Sequence, residues 1–177
     1  LYAPTLEILE QMGCWVERGA ERAQIARFGR LYGAGRVFTG VYPGLATDAA
    51  PLLAAVMLCA QGSSSIEDVI FERRFACAEG FLRLGGNVKV EGRIFHAEPT
   101  NPAVGLHGAQ LAAPDLRGGA ALVLAALAAR GQSEISGTAY IDRGYADFTE
   151  ILARLGGRIA RETRPKSTPV KKTPSKK

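Results

Sequence analysis

Apolar positions along the chain follow two alternating rhythms. Leu9 and Met12, Phe81 and Leu84, and Leu152 and Leu155 each sit three residues apart, which predicts one apolar face on each of three amphipathic helices. Each of these segments then runs into a glycine followed by a strand-like stretch, so Gly13, Gly85 and Gly156 are expected as left-handed helix caps. Between them lie two Ala/Leu-rich stretches, 48–61 and 117–130, that end at Gly62 and Gly131 and predict more deeply buried helices. Ser64-Ser-Ile66 and Ser133-Glu-Ile135 read as strands. Val88-Lys-Val90 and Arg93-Ile-Phe-His96, joined by Glu91-Gly92, read as a hairpin.

These elements repeat. An offset of 69 residues carries the first Ala/Leu stretch onto the second, Gly62 onto Gly131, Ile66 onto Ile135, and Phe71–Phe75 onto Tyr140–Gly144, so that Arg74 falls on Arg143. Several matches in one register are hard to obtain by chance. Each unit reads helix, strand, turn with an arginine, helix, glycine, strand, strand. Two units are expected over 37–112 and 113–160, within one domain of 1–160, and residues 1–36 hold the latter half of a preceding unit. A helix and hairpin without their partner helix leave an apolar face uncovered, so the chain is expected to begin mid-unit.

Charge changes the picture only at one end. Of 22 Lys and Arg, seven fall in residues 161–177 beside a single Glu; the remainder holds 15 basic and 16 acidic residues. The excess positive charge therefore belongs to a tail without apolar periodicity, expected to be disordered, and the body has no basic bias that would recruit nucleic acid. No apolar run approaches the roughly 20 residues of a membrane span. Cys14, Cys59 and Cys77 are odd in number and widely spaced, and only His96 and His107 are present. No metal site and no cofactor is expected, and the cysteines read as buried thiols of a cytoplasmic protein.

The register brings chemistry-bearing residues to equivalent places. Asp48 and Arg117 both start an apolar helix, and Arg74 and Arg143 both lie in the turn before the amphipathic helix. If rotation relates the units, all four approach one end of the assembly. Helix starts favour anions, and guanidinium forks suit carboxylate or phosphate. Three arginines with one carboxylate point to a small polyanionic substrate whose hydroxyl proton Asp48 would accept. Taken singly, each residue has a plainer reading: Thr47-Asp48 as a helix cap, Arg117 paired with Asp115, Asp142–Tyr145 as a tight turn, and Glu72–Arg74 as a solvated charge cluster.

Four stretches carry a resemblance: Thr39-Gly-Val-Tyr-Pro-Gly-Leu-Ala-Thr-Asp48, Val69-Ile-Phe-Glu-Arg-Arg-Phe75, Ala113-Pro-Asp-Leu-Arg-Gly-Gly119 and Ile141-Asp-Arg-Gly-Tyr145. Over nearly the whole chain up to about Glu162 it resembles the UDP-N-acetylglucosamine enolpyruvyl transferases (1-carboxyvinyltransferases) of peptidoglycan synthesis. The resemblance implies an α/β fold, an inside-out barrel of βαβαββ repeats, of which this chain would supply most of the C-terminal domain. It implies transfer of enolpyruvyl from phosphoenolpyruvate to the 3-hydroxyl of UDP-N-acetylglucosamine. Asp48 would be the base, Arg74, Arg117 and Arg143 would hold the phosphoenolpyruvate anion, and Ile70 and Phe71 would contact the UDP-sugar. The family's proton-donor cysteine, a lysine–asparagine pair and further arginines belong to an N-terminal domain, the expected partner; Cys14, Cys59 and Cys77 match none of its catalytic positions. Arg73 stands where asparagine is usual, Leu45-Ala46 where Phe-Pro is common, and Gly118-Gly119 where Ala-Ser is usual. Those glycines are expected to weaken a helix start by roughly 1 kcal/mol each. The alternatives are a fragment of the shikimate-pathway enolpyruvyl transferase, which shares the architecture, or a non-catalytic binding module retained for its basic tail.

Overall fold

In a computed structural model the structure describes residues 2–162; the basic tail read at 161–177 lies outside them except for its first two residues. These residues divide into two compact units that part between residues 146 and 147.

The first unit opens with α1 (Ala3–Gln11), then β1 (Trp15–Arg18) and β2 (Ala23–Ala26) as an antiparallel pair. Next come β3 (Leu31–Tyr32) and β4 (Gly35–Phe38), a single 3-10 turn at Thr47–Ala49, and α2 (Ala50–Met57). They are followed by β5 (Ala60–Gln61), β6 (Ser64–Glu67), α3 (Ala78–Arg83), and the hairpin β7 (Asn87–Glu91) and β8 (Ile94–Glu98). The unit continues through β9 (Gln110–Ala112), α4 (Leu116–Ala128), β10 (Glu134–Ser136) and α5 (Ala139–Asp142).

One βαβαββ unit is therefore complete: β4, α2, β6, α3, β7, β8. Its sheet runs β4-β6-β8-β7, parallel between β4 and β6 and antiparallel beyond. Alternation of side chains sorts the two faces. Val37, Ile66 and Phe95 align across the register and are buried, whereas Arg36, Glu67 and Lys89 line the opposite face. The next unit repeats the scheme through β9, α4 and β10, with β9 and β10 parallel.

The helices lie inside the sheets. In α2, Ala50, Pro51, Leu53, Ala54, Ala55 and Met57 are all buried, and α4 buries Gly118–Val123 and Ala125. Helices apolar nearly all round belong in a core, and these two pack on each other. Phe81 lies edge-on to Phe95 at 6.0 Å, and Phe75 is tilted over the same ring at 5.2 Å. Each fully buried ring of this kind stabilises the fold by about 1.5–3 kcal/mol. Gly13 and Gly85, with φ of +93° and +85°, close their helices in the left-handed conformation expected from the sequence.

The second unit, described on its own, contains α6 (Phe148–Arg154), whose Leu152 is buried and whose Gly156 has φ +91°. Leu155, expected on the apolar face, is instead 79% exposed.

Gly118 and Gly119 have a packing reason. A Cβ on Gly119 would lie 2.8 Å from Ile141 Cγ1 and 2.9 Å from Ala113 Cβ, because α5 rests directly on α4. Helix propensity alone favours Ala there by about 1 kcal/mol, but overpacking costs about 1–3 kcal/mol. Gly119→Ala is therefore expected to destabilise the chain by about 1 kcal/mol in urea unfolding. A gain in stability would mean that Ile141 yields without cost.

Candidate functional site

Three of the sequence-predicted residues meet at the starts of α2 and α4. Asp48 sits in the 3-10 turn that precedes α2 and makes no helix-capping hydrogen bond. Its Oδ2 accepts from the Arg117 guanidinium at 2.8 Å, and its Oδ1 lies 3.5 Å from that of Arg74. Asp48 and Arg117 stand exactly one repeat apart, and they touch. Asp115 caps α4 by accepting from the Gly118 N–H at 2.7 Å, so Arg117, in the first turn, turns to Asp48 rather than to Asp115.

The two arginines are held differently. Arg117 lies over the Tyr145 ring at 5.1 Å. Its hydrogen bond to Asp48 raises its already high pKa despite partial burial, so it is a fixed cation. Arg74 is only 12% exposed. Its Nε–H donates to Thr47 Oγ1 at 2.9 Å, and its guanidinium stacks on Phe71 at 4.2 Å.

Arg143, read from the sequence in a turn, follows the one-turn helix α5, is exposed, and lies over Tyr140 at 5.6 Å. Among the described residues no hydrogen bond or ion pair joins it to Asp48, Arg74 or Arg117. It does occupy the short segment between Ile141, which packs at Gly119, and Tyr145 beneath Arg117. The repeat survives here: Phe71 with Arg74 and Tyr140 with Arg143 form the same ring–guanidinium pair 69 residues apart. Arg73, next to Arg74, is exposed.

Ile70 and Phe71 are about half exposed, at 42% and 50%. Beside them Val41 and Tyr42, more than 80% exposed, occupy a loop closed by hydrogen bonds from Gly40 N to Leu45 O and from Gly44 N to Val41 O. The two loops are tied together, since Val69 N donates to the buried Thr39 hydroxyl at 3.1 Å.

Sequence reasoning missed Asp68. It is fully buried, and it accepts from the N–H groups of Ile70 and Phe71, at 2.9 and 2.8 Å, and from the Thr47 hydroxyl. Arg74 Nε lies 3.4 Å from its Oδ2. Burial, the largest single influence, opposes ionisation. The hydrogen bonds from Thr47, Phe71 and Ile70, together with the Arg74 charge, outweigh it and hold the carboxyl below the usual carboxylate range. The available signal was local: an Asp at a strand end, ahead of three apolar residues, Val69, Ile70 and Phe71.

The cluster is open to solvent, with the Asp48 side chain 53% exposed. Two concavities, of about 310 and 250 Å³, lie elsewhere, one against β7 and β8 and the other beside Arg73 and Phe75. Burial pushes the Cys77 thiol up to about 12, with the nearby Asp115 charge adding to it, so Cys77 is no nucleophile. Among the described residues no group of three His, Cys, Asp or Glu could hold a metal ion, and no helix is long and apolar enough to cross a membrane.

A complete βαβαββ unit followed by the first elements of another, packed through their buried helices, is the architecture of an enolpyruvyl transferase domain. Residues 2–152 match the family described as EPSP synthase (3-phosphoshikimate 1-carboxyvinyltransferase), and the chain belongs to that family of transferases. Relatives named UDP-N-acetylglucosamine 1-carboxyvinyltransferase include one from Geobacillus kaustophilus (strain HTA426), 43% identical over 87% of this chain and 35% of that protein. Another, from Desulfofundulus thermocisternus, is 37% identical over 94% of this chain and 67% of that protein. Among solved structures, the enolpyruvyl transferase NikO from Streptomyces tendae superposes with a TM-score of 0.80 and 32% identity, over 92% of this chain and 37% of that one. The chain thus spans little more than a third of the length of most of these relatives.

Proposed function

We propose that the chain carries the acceptor-side base and part of the anion site of a UDP-N-acetylglucosamine enolpyruvyl transferase, acting in the cytoplasm in peptidoglycan synthesis and so in cell shape and division. The observation that carries the reading is Asp48, a half-exposed carboxylate held between the guanidinium of Arg117, its own equivalent one repeat on, and that of Arg74. In the free chain Asp48 is the counterion of Arg74 and Arg117. Phosphoenolpyruvate, which brings a carboxylate and a phosphate, would take over those guanidiniums and free Asp48 to accept the 3-hydroxyl proton of the sugar. The sugar oxygen then bonds to C2 of the enolpyruvyl group, and phosphate leaves with both electrons of its C–O bond. Arg143 would join the anion site from the segment beside α4, and Ile70 and Phe71 would meet the UDP-sugar. Relatives of greater length and the openness of the cluster support a site completed by a second domain.

The test is a joined protein. Chain 1–177 alone, given phosphoenolpyruvate and UDP-N-acetylglucosamine, is expected to release no phosphate. Fused behind the N-terminal part of the Geobacillus kaustophilus relative, it is expected to release phosphate with that acceptor and not with shikimate 3-phosphate. Release with shikimate 3-phosphate alone would reverse the acceptor assignment, and release by the isolated chain would overturn the need for a second domain.

A further inference from the structure

We infer that Asp68 is a positioning residue that fixes Arg74 and the Ile70–Phe71 turn in one piece, so that the anion site and the apolar contact to the sugar nucleotide are set by a single buried carboxylate. The inference rests on the proposed function for the ligands, but its geometry stands apart from them.

A carboxylate offers about four acceptor positions; Asp68 fills three with hydrogen bonds and turns the remaining one toward the Arg74 guanidinium. Oδ1 takes the N–H groups of Ile70 and Phe71; Oδ2 takes the Thr47 hydroxyl and faces Arg74 Nε. Thr47 Oγ1 in turn accepts from that same Nε–H. Phe71, held by Asp68 through its backbone, lays its ring under the guanidinium at 4.2 Å. Arg74 is thereby gripped at its Nε edge and on its face, and its Nη1 lies 3.5 Å from Asp48 Oδ1. Every N–H of the turn from 68 to 71 is accounted for: Asp68 N donates to Arg93 O, Val69 N to Thr39, and the other two to Asp68. An amide in place of the carboxylate would turn an N–H₂ toward at least one donor.

The repeat separates this arrangement from a requirement of the fold. One repeat further on, the ring and the arginine persist as Tyr140 and Arg143, but Asp68, Thr47 and Thr39 are replaced by Gly137, Leu116 and Gly108. The second repeat forms β10, α4 and α5 without the clamp, and its arginine is exposed, 5.6 Å from its ring. The clamp therefore belongs to the site that Arg74 serves.

The test uses the 177-residue chain, with arginine Nε–H and backbone amide exchange followed by NMR and inorganic phosphate as the probe. In Asp68→Asn, exchange at Arg74 Nε–H and at the Ile70 and Phe71 amides is expected to rise at least about tenfold, the scale of one hydrogen bond to a charged group. The phosphate midpoint read at Arg74 is expected to rise by a similar factor. Asp68→Glu, which keeps the charge and all four acceptor positions, is expected to recover most of the protection. Thr47→Val is expected to raise exchange at Arg74 and spare the Phe71 amide. Wild-type exchange at both groups in Asp68→Asn would overturn the inference; should that variant not fold, unchanged Arg74 exchange in Thr47→Val would do so. Absence of any phosphate-induced shift at Arg74 and Arg117 in the wild-type chain would instead sink the proposed anion site, while the exchange data would still decide the positioning role.

Discussion

Arg74→Ala is expected to destabilise the chain by about 3 kcal/mol, because it strands a buried carboxylate. Asp68 is fully buried, and Arg74 supplies the positive charge against it as well as the donor that orients Thr47. Breaking a buried pair by removing one partner costs far more than breaking an exposed one. The comparison is available in the same site: Asp48, half exposed, pairs with Arg117 at 2.8 Å, and Arg117→Ala is expected to cost about 1 kcal/mol or less. In a chain of this size the Arg74 loss corresponds to a fall in Tm of roughly 6–12 °C. Acid should narrow the gap. The folded pKa of Asp68 is depressed, so its contribution is present above the unfolded value of about 3.9 and is lost as pH falls through the lower folded value. Without Arg74 the carboxyl takes up its proton at a higher pH, and once protonated it no longer needs a cation. Urea unfolding of the two proteins at pH 7 and near pH 4 reads this directly. A difference that stays constant between the two would mean that Asp68 does not depend on Arg74.

Much of this site was legible because repetition places equivalent residues by symmetry. Asp48 and Arg117 follow from register alone: helices α2 and α4 pack together, so residues at their equivalent ends meet. The hairpin at Glu91-Gly92 and the caps at Gly13 and Gly85 follow from local chemistry that tertiary contacts do not override. Register assigns equivalence, however, and not distance. Arg143 is equivalent to Arg74, but it lies over Tyr140, with Gly137 where its counterpart has Asp68, and among the described residues no ion pair joins it to Asp48. Asp68 was invisible for the complementary reason. It has no counterpart in the repeat, and a buried acid and a solvated one look alike in a pattern of apolar positions. Gly118-Gly119 looked like a weakened helix start because the ledger of propensity contains no neighbours, whereas Ile141 occupies the space a side chain would take.

In the joined protein, Asp48→Ala is expected to lower kcat by about 10²–10⁴, the range of a lost general base, with the KM for the UDP-sugar within about threefold of wild type. Three features of the site favour so uneven a split. Asp48 makes no helix-capping bond, so its removal leaves α2 intact. It contributes no apolar surface to the Ile70–Phe71 side, which stays anchored by Asp68. It is also an anion facing both Arg74 and Arg117, so that deleting it leaves one positive charge in excess, with Arg74 still against Asp68. Phosphate should then bind as tightly as before or more tightly while turnover collapses. A residue that merely supported the fold would weaken binding and turnover together. Asp48→Asn, of nearly the same shape but without basicity, is expected to reproduce the loss in kcat; turnover within tenfold of wild type in both variants would remove Asp48 from the chemistry and leave it as the arginines' counterion.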